Sequence, residues 1–181
     1  NSEMFLGGAQ DNGTNRTDTR ADPNSWFEEF GGDGGYVAID PRTDLIFYLE
    51  TQNFGNMRRT DDGGATFTDI DNGLSDSGLF ITPFAIDPTN PDTLWTGGQA
   101  IWRTTNRGDS WSQKGPNFFG PGSVSAIAVA PGDSNTVYVG YSDGYVAVSR
   151  NATNTNPTWN FPSAGLPSEA GSISSLAVDP D

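Results

Sequence analysis

Neither cysteine nor histidine occurs among the 181 residues. Their absence excludes thiolate nucleophiles, disulfides, zinc and copper sites and any Ser-His-Asp arrangement. Chemistry is left to carboxylates, amides and hydroxyls, with Ca²⁺ as the ion such oxygen donors would hold. No other metal and no cofactor is expected. The residues that qualify fall in short glycine-flanked stretches: Gln10-Asp11-Asn12-Gly13, Gly31-Gly32-Asp33-Gly34-Gly35, Gln52-Asn53-Phe54-Gly55, Gly98-Gln99 and Ser142-Asp143-Gly144. A carboxylate beside an amide suits sugar hydroxyls or a cation. Glycine lets backbone approach a ligand closely, and an aromatic offers a stacking surface. Asp11, Asn12, Asp33, Gln52, Phe54, Gln99 and Asp143 are therefore the candidate ligand-contacting residues. Asp11, Asp33 and Phe54 have a plainer alternative. Asp-Asn-Gly is an ordinary hairpin turn, the Asp33 stretch serves equally as a sharp crossing between sheets, and Phe54 as packing against a neighbouring sheet.

The elements that must position these residues show in two interleaved repeats. The first is eight residues long: Thr60 to Phe67 reads T-D-D-G-G-A-T-F and Thr104 to Trp111 reads T-T-N-R-G-D-S-W. Their common pattern is Thr, any, Asx, any, Gly, any, hydroxyl, aromatic. A β-hairpin turn wants this set, because the Asx side chain caps turn amides, glycine takes positive φ, and the hydroxyls bond locally. Thr60, Asp62, Gly64, Thr66 and Phe67, with Thr104, Asn106, Gly108, Ser110 and Trp111, are thus expected to be structural. Ser149-Arg150-Asn151, followed late by Thr158-Trp159, reads as a degenerate third copy with a longer turn.

The second repeat is Ala-[Ile/Val]-x-Pro, ending at Pro41, Pro88, Pro131 and Pro180 in steps of 47, 43 and 49 residues. Such a period marks a β-propeller blade of four antiparallel strands. Apolar runs between turn signals place strands at Leu45 to Glu50, Gly55 to Arg59, Thr66 to Ile70, Phe84 to Ile86, Thr93 to Thr96, Ala100 to Thr104, Ser110 to Gln113, Thr136 to Tyr141 and Tyr145 to Ser149. The expectation is an all-β fold with about four blades over residues 1–181. They fall approximately at 4–35 (completed by 172–181), 36–80, 81–123 and 124–171. Met4 to Gly8 aligns with a second strand and Ser174 to Pro180 with a first strand, so the two are expected to share a blade. The chain would then close on itself, pair with a second copy, or form part of a larger propeller; the start at Asn1 favours the last.

Alternation along a blade puts the Asp-Pro turns and the eight-residue turns on one face, with Asp40, Asp62, Asp87 and Asp179 as turn caps. The opposite face collects the candidate residues above, joined by crossings that carry Asp33, Asp76, Phe118, Phe119, Ser168 and Glu169. In propellers that face surrounds the channel mouth, the usual ligand position.

With 23 acidic against 9 basic side chains the net charge is −14, which argues against a nucleic-acid backbone or an anionic membrane as partner. No apolar run approaches the ~20 residues of a transmembrane helix. The acidity fits an extracellular or cell-surface protein, and a protein or glycan ligand is expected. Sequons at Asn12, Asn15 and Asn151 permit glycosylation, although so Asn- and Thr-rich a chain would also produce them by chance.

The eight-residue motif resembles the Asp-box, or BNR repeat, of β-propeller proteins, a structural clip shared by sialidases, sortilin-type receptors and xyloglucanases. Gly8 to Thr14, Gly31 to Gly35, Glu50-Thr51-Gln52 and Arg58 to Asp61 look like secreted bacterial BNR-repeat proteins. These are similar to sortilin-type propellers, photosystem II assembly-factor-like proteins and glycoside hydrolase family 74. The resemblance spans essentially the whole chain. It implies either a non-catalytic scaffold or recognition module, which is the main expectation, or part of a carbohydrate-active hydrolase. Family 74 enzymes cleave β-glucans by inversion with a pair of Asp residues, and Asp33 is the nearest local match to one of them. No second such Asp is recognisable.

Overall fold

A computed structural model of the chain describes residues 4–18, 22, 24–116, 122–162 and 171–179. Over these residues the regular structure is entirely β, in four consecutive antiparallel sheets. The first comprises β1 (Met4–Ala9), β2 (Gly13–Asp18) and β3 (Phe27–Phe30). The second is β4 (Gly34–Ile39), β5 (Phe47–Thr51), β6 (Met57–Thr60) and β7 (Thr68–Asp69). The third is β8 (Phe84–Ile86), β9 (Leu94–Gly97), β10 (Ile101–Thr104) and β11 (Ser112–Gln113). The fourth is β12 (Val124–Ala130), β13 (Asp133–Tyr141) and β14 (Val146–Ser149). Strands pair in chain order within each sheet. A single bridge between Val148 and Asn160 stands where a fourth strand of the last sheet would lie.

Successive sheets meet through their leading strands: β4 packs on β1 and β8, and β8 on β12. Because each middle sheet has a neighbour on both faces, alternation disappears from its central strands, and Phe47, Tyr48 and Leu49 in β5 are all buried. Two apolar clusters fill the boundaries. Tyr48, Met57, Ile70, Phe84, Leu94, Trp102 and Trp111 pack together in one. Trp95, Ile101, Val124, Val137, Val139 and Tyr141 form the core of the other.

The eight-residue turns behave as caps. Asp62 Oδ1 accepts from the Thr66 amide (2.9 Å) and the Gly64 amide donates to Thr60 Oγ1 (2.9 Å). The second copy repeats this with Ser110 N to Asn106 Oδ1 (3.0 Å) and Gly108 N to Thr104 Oγ1 (3.1 Å). Gly64 and Gly108 have φ of 96° and 92°, which requires glycine. In the third, Thr158 N donates to Asn151 Oδ1 (2.9 Å) despite the longer turn. Asp40 and Asp87 cap the Asp-Pro turns, accepting from the amides of Arg42 (2.9 Å) and Thr89 (2.8 Å).

The blade expected to be shared by the two ends is not completed within one chain over the described residues. Positions 174–179 carry no strand, and β1 has a partner on one side only. The segment leaves from the fourth sheet, where Ile173 N donates to Tyr141 O (3.1 Å) and Ser125 Oγ to Ile173 O (2.8 Å). A strand exists only as a pair, so an apolar pattern without a ladder makes none here.

Candidate functional site

Asp11 and Asp33, 22 residues apart in sequence, come together on one face. The Asp11 amide donates to Asp33 Oδ1 at 2.8 Å, and the Asp33 amide donates to Gln52 Oε1 at 3.0 Å. The Gly13 amide adds a bond to Gly32 O (2.8 Å). Asp33 is half-buried, with Asp11 and Asn12 exposed beside it. The surrounding glycines are explained by closeness. A Cβ on Gly34 would lie 2.1 Å from Gly13 O, and one on Gly35 would lie 2.1 Å from Glu50 Oε1. The crossing therefore seats Asp33 against two neighbouring hairpins.

Beneath it lies a carboxyl that sequence reasoning missed. Glu50 of β5 is 1% exposed. Its Oε1 accepts from the Tyr36 amide (3.1 Å) and its Oε2 from the Thr82 amide (3.3 Å). Burial outweighs these bonds and pushes its pKa up to about 8. The signal available was an acid inside an otherwise apolar strand, F-Y-L-E-T.

The remaining candidates separate. Gln99 is exposed, with its amide donating to Ser77 O (3.0 Å). Next to it Asp76 Oδ2 accepts from Ala100 N (2.8 Å) and Trp102 Nε1 (3.2 Å), so Asp76 clips a crossing to a hairpin. Phe54 packs against the cluster around Tyr48. One side of it also lines an open depression of about 410 Å³ with Asn53, Asp76 and the 51%-exposed Phe80. Phe80 is a better placed aromatic than Phe54 and was not singled out by the sequence. Asp143 is half-buried beside Gly122, and its Oδ1 makes no hydrogen bond among the described residues. It belongs to the hairpin after β13. Phe118, Phe119, Ser168 and Glu169 lie outside the described residues. Of the sequons, Asn12 is exposed, Asn15 is half-buried in β2, and Asn151 is committed to its turn through Oδ1.

No group of three or more acidic side chains among the described residues is arranged to hold a metal ion. No helix among them is long and apolar enough to cross a membrane.

No family model matches the chain. A xyloglucanase from Hypocrea jecorina (strain QM6a) is 27% identical over 140 residues, covering 64% of this chain and 16% of that protein. The solved GH74 xyloglucanase from Xanthomonas campestris superposes with a TM-score of 0.70 at 19% identity, over 92% of this chain and 29% of that one. The GH74 enzyme from Niastella koreensis gives 0.67 at 20% identity, over 89% and 28%. An ancestral GH74 enzyme gives 0.67 at 16%, over 87% and 22%. The chain thus spans less than a third of the length of each of these proteins. These likenesses establish the fold: the four sheets are consecutive blades of a β-propeller.

Proposed function

We propose that the chain is part of a carbohydrate-active hydrolase of the xyloglucanase type, and that the Asp33 face meets a β-glucan chain. The observation that carries this reading is the Asp33 carboxylate. One oxygen is held by the Asp11 amide, while the residue stays half-buried among exposed Asp11 and Asn12. A carboxylate fixed by backbone and free at its second oxygen is suited to orient a water as general base. Inversion needs a second carboxyl about 6.5–9.5 Å away; by resemblance to family 74 it would lie across a cleft between two propellers. The similarity to xyloglucanases supports the hydrolase over the recognition module. It also supports an extracellular setting, and it makes no use of sortilin-type features.

Titration with a xyloglucan oligosaccharide tests this. Asp33→Asn should weaken binding and abolish any release of reducing ends, with the melting temperature held; Asp11→Asn should weaken binding less. A second reading, a non-catalytic extracellular scaffold for protein or glycan, rests on Asp76, whose Oδ2 is spent on Ala100 and Trp102. Absence of any response to oligosaccharide would favour that module.

A further inference from the structure

Three arginines occupy one position in successive blades and do one job. Arg16 in β2 donates to Gly63 O (2.7 Å), Arg59 in β6 to Arg107 O (2.6 Å), and Arg103 in β10 to Ala152 O. Each acceptor is the fourth residue of the next blade's capped turn. The first two guanidiniums also have carboxylates. Arg16 Nε lies 3.0 Å from Glu29, and Arg59 reaches Asp61 and Asp109, both at 2.9 Å. Arg103 has none among the described residues. The place of Asp61 is taken by Thr105, and that of Asp109 by Asn154.

Arg103 is 8% exposed and stacks 5.5 Å from the Trp95 ring centroid. Its Nε and the Nε1 of Trp95, which is 1% exposed, are buried donors without acceptors among the described residues. Beside them is a partly enclosed cavity of about 160 Å³, walled by Trp95, Arg103, Thr105, Ser134, Thr153 and Asp87. Lys114 is a second cation nearby. Its ammonium donates to Thr155 O (3.0 Å), and its pKa is pushed down by burial and by the charge of Arg103. In a chain with 23 acids and 9 bases, two cations share a boundary with no carboxylate on either.

Asp87 does not fill that role, since its Oδ1 accepts from the amides of Thr89 and Asn90. Its counterpart Asp40 coexists with Asp61 and Asp109 in the preceding boundary, balanced there by Arg42 and Arg107. Here the second cation is Lys114, which feels the charge of Arg103. We propose that the boundary between the third and fourth blades binds a small monovalent anion, carboxylate or halide, on Arg103, replacing the side-chain carboxylates of the preceding boundary. The cavity holds several times the ~30 Å³ of a water molecule, room enough for formate or chloride. A planar guanidinium with a free edge is the group such an anion pairs with.

The test titrates sodium formate and sodium chloride separately. A bulky sulfonate keeps ionic strength constant, and the readouts are melting temperature and formate ¹³C line width. Wild type should show a saturable rise in melting temperature. A response to formate alone would assign a bidentate carboxylate site; equal responses would assign a site that reads charge. Thr105→Asp, which restores the carboxylate of the neighbouring boundary, should melt higher without added anion and lose the dependence. Thr105→Asn should keep it. Arg103→Met should weaken binding by about tenfold or more, and the Thr105 pair serves where that variant does not fold. Lack of any anion dependence in wild type, or its full retention in Thr105→Asp, overturns the proposal.

Discussion

Arg59 Nη1 donates to the carbonyl oxygen of Arg107 at 2.6 Å across the boundary between the second and third blades, while Trp111 Nε1 donates back to Ile70 O, also at 2.6 Å. One bond runs forward and the other backward, so the two blades are stitched in both directions. The same pair recurs one blade later, with Arg103 on Ala152 O and Trp159 Nε1 on Lys114 O (2.8 Å).

Removing the forward bond should loosen the boundary rather than the blade. Arg59→Leu leaves the Arg107 carbonyl without its donor and parts Asp61 and Asp109 from their shared cation. A loss of about 2–3 kcal/mol is expected from charge-assisted hydrogen bonds of this kind. Arg58→Leu breaks a pair with an Asp69 side chain that is 67% exposed, and should cost no more than about 1 kcal/mol. Urea unfolding of the two variants separates them; equal losses would mean that the boundary is not what Arg59 supports.

Trp111 carries the backward bond and much of the apolar cluster. Trp111→Ala should destabilise by about 3–5 kcal/mol through the cavity it leaves. Trp111→Phe keeps much of the bulk and strands the Ile70 carbonyl, for about 1–3 kcal/mol. If neither lowers the melting temperature, the eight-residue motif is decoration.

The turn chemistry was legible because it is local: Thr60, Asp62, Gly64 and Thr66 specify their own bonds within seven residues. The strand order followed, since hairpin turns leave little choice of partner. The meeting of Asp11 with Asp33 was legible only as a shared face, because their approach depends on the path of the Gly31 to Gly35 crossing. No role was read for Glu50, Arg16, Arg59 or Arg103. Their roles are set by what the next blade presents, and no local pattern marks a buried acid or an arginine aimed across a boundary. The strand expected at Ser174 is absent from the single chain for a different reason: a local pattern cannot supply the second strand that pairing needs.

Stability should be greatest on the acid side of neutrality. The pKa of Glu50 is raised to about 8 in the fold, so the native state holds its proton more tightly than the unfolded chain does. That contribution is complete below the unfolded value near 4.5 and is lost as pH rises through about 8. It is worth about 5 kcal/mol. Glu29 shifts upward too, through burial that its Arg16 partner only partly offsets. The pKa values of Asp40 and Asp62 move the other way, through the Arg42 side chain and the Thr66 hydroxyl respectively, Asp62 down to about 2. Their stabilisation is present above the unfolded value and fades as pH falls through the folded one. Melting temperature should therefore peak near pH 4–5, and Glu50→Gln should flatten the decline between pH 5 and 8. A maximum at or above pH 7 in wild type would contradict the assignment.

The open side of β1 should recruit a strand. In the second, third and fourth blades an alanine of the leading strand faces an aromatic of the next: Ala38 and Tyr48, Ala85 and Trp95, Ala128 and Tyr138. Aligning Gly7-Gly8 with Gly97-Gly98 puts Phe5 at that aromatic position in the first blade, yet Phe5 is 53% exposed where Tyr48 and Trp95 are 0% and 1%. Next to it runs a groove of about 510 Å³ bounded by Met4, Phe5, Ile39, Asp40 and Pro41. The segment that repeats the leading-strand pattern is Leu176-Ala177-Val178-Asp179, which follows Ile173 on the fourth blade and carries no strand. In the register of the other blades Ala177 would face Phe5, Leu176 would face Leu6 and Val178 would face Met4. An unpaired apolar edge is a template for added strands, so two copies should exchange this segment reciprocally. Light scattering over a concentration series should give a dimer. Leu176→Asp combined with Val178→Asp should shift it to monomer with an unchanged circular dichroism spectrum, and Phe5→Lys should do the same from the other side. A wild type that stays monomeric throughout, or a dimer untouched by both variants, would place association elsewhere and leave Phe5 exposed for another reason.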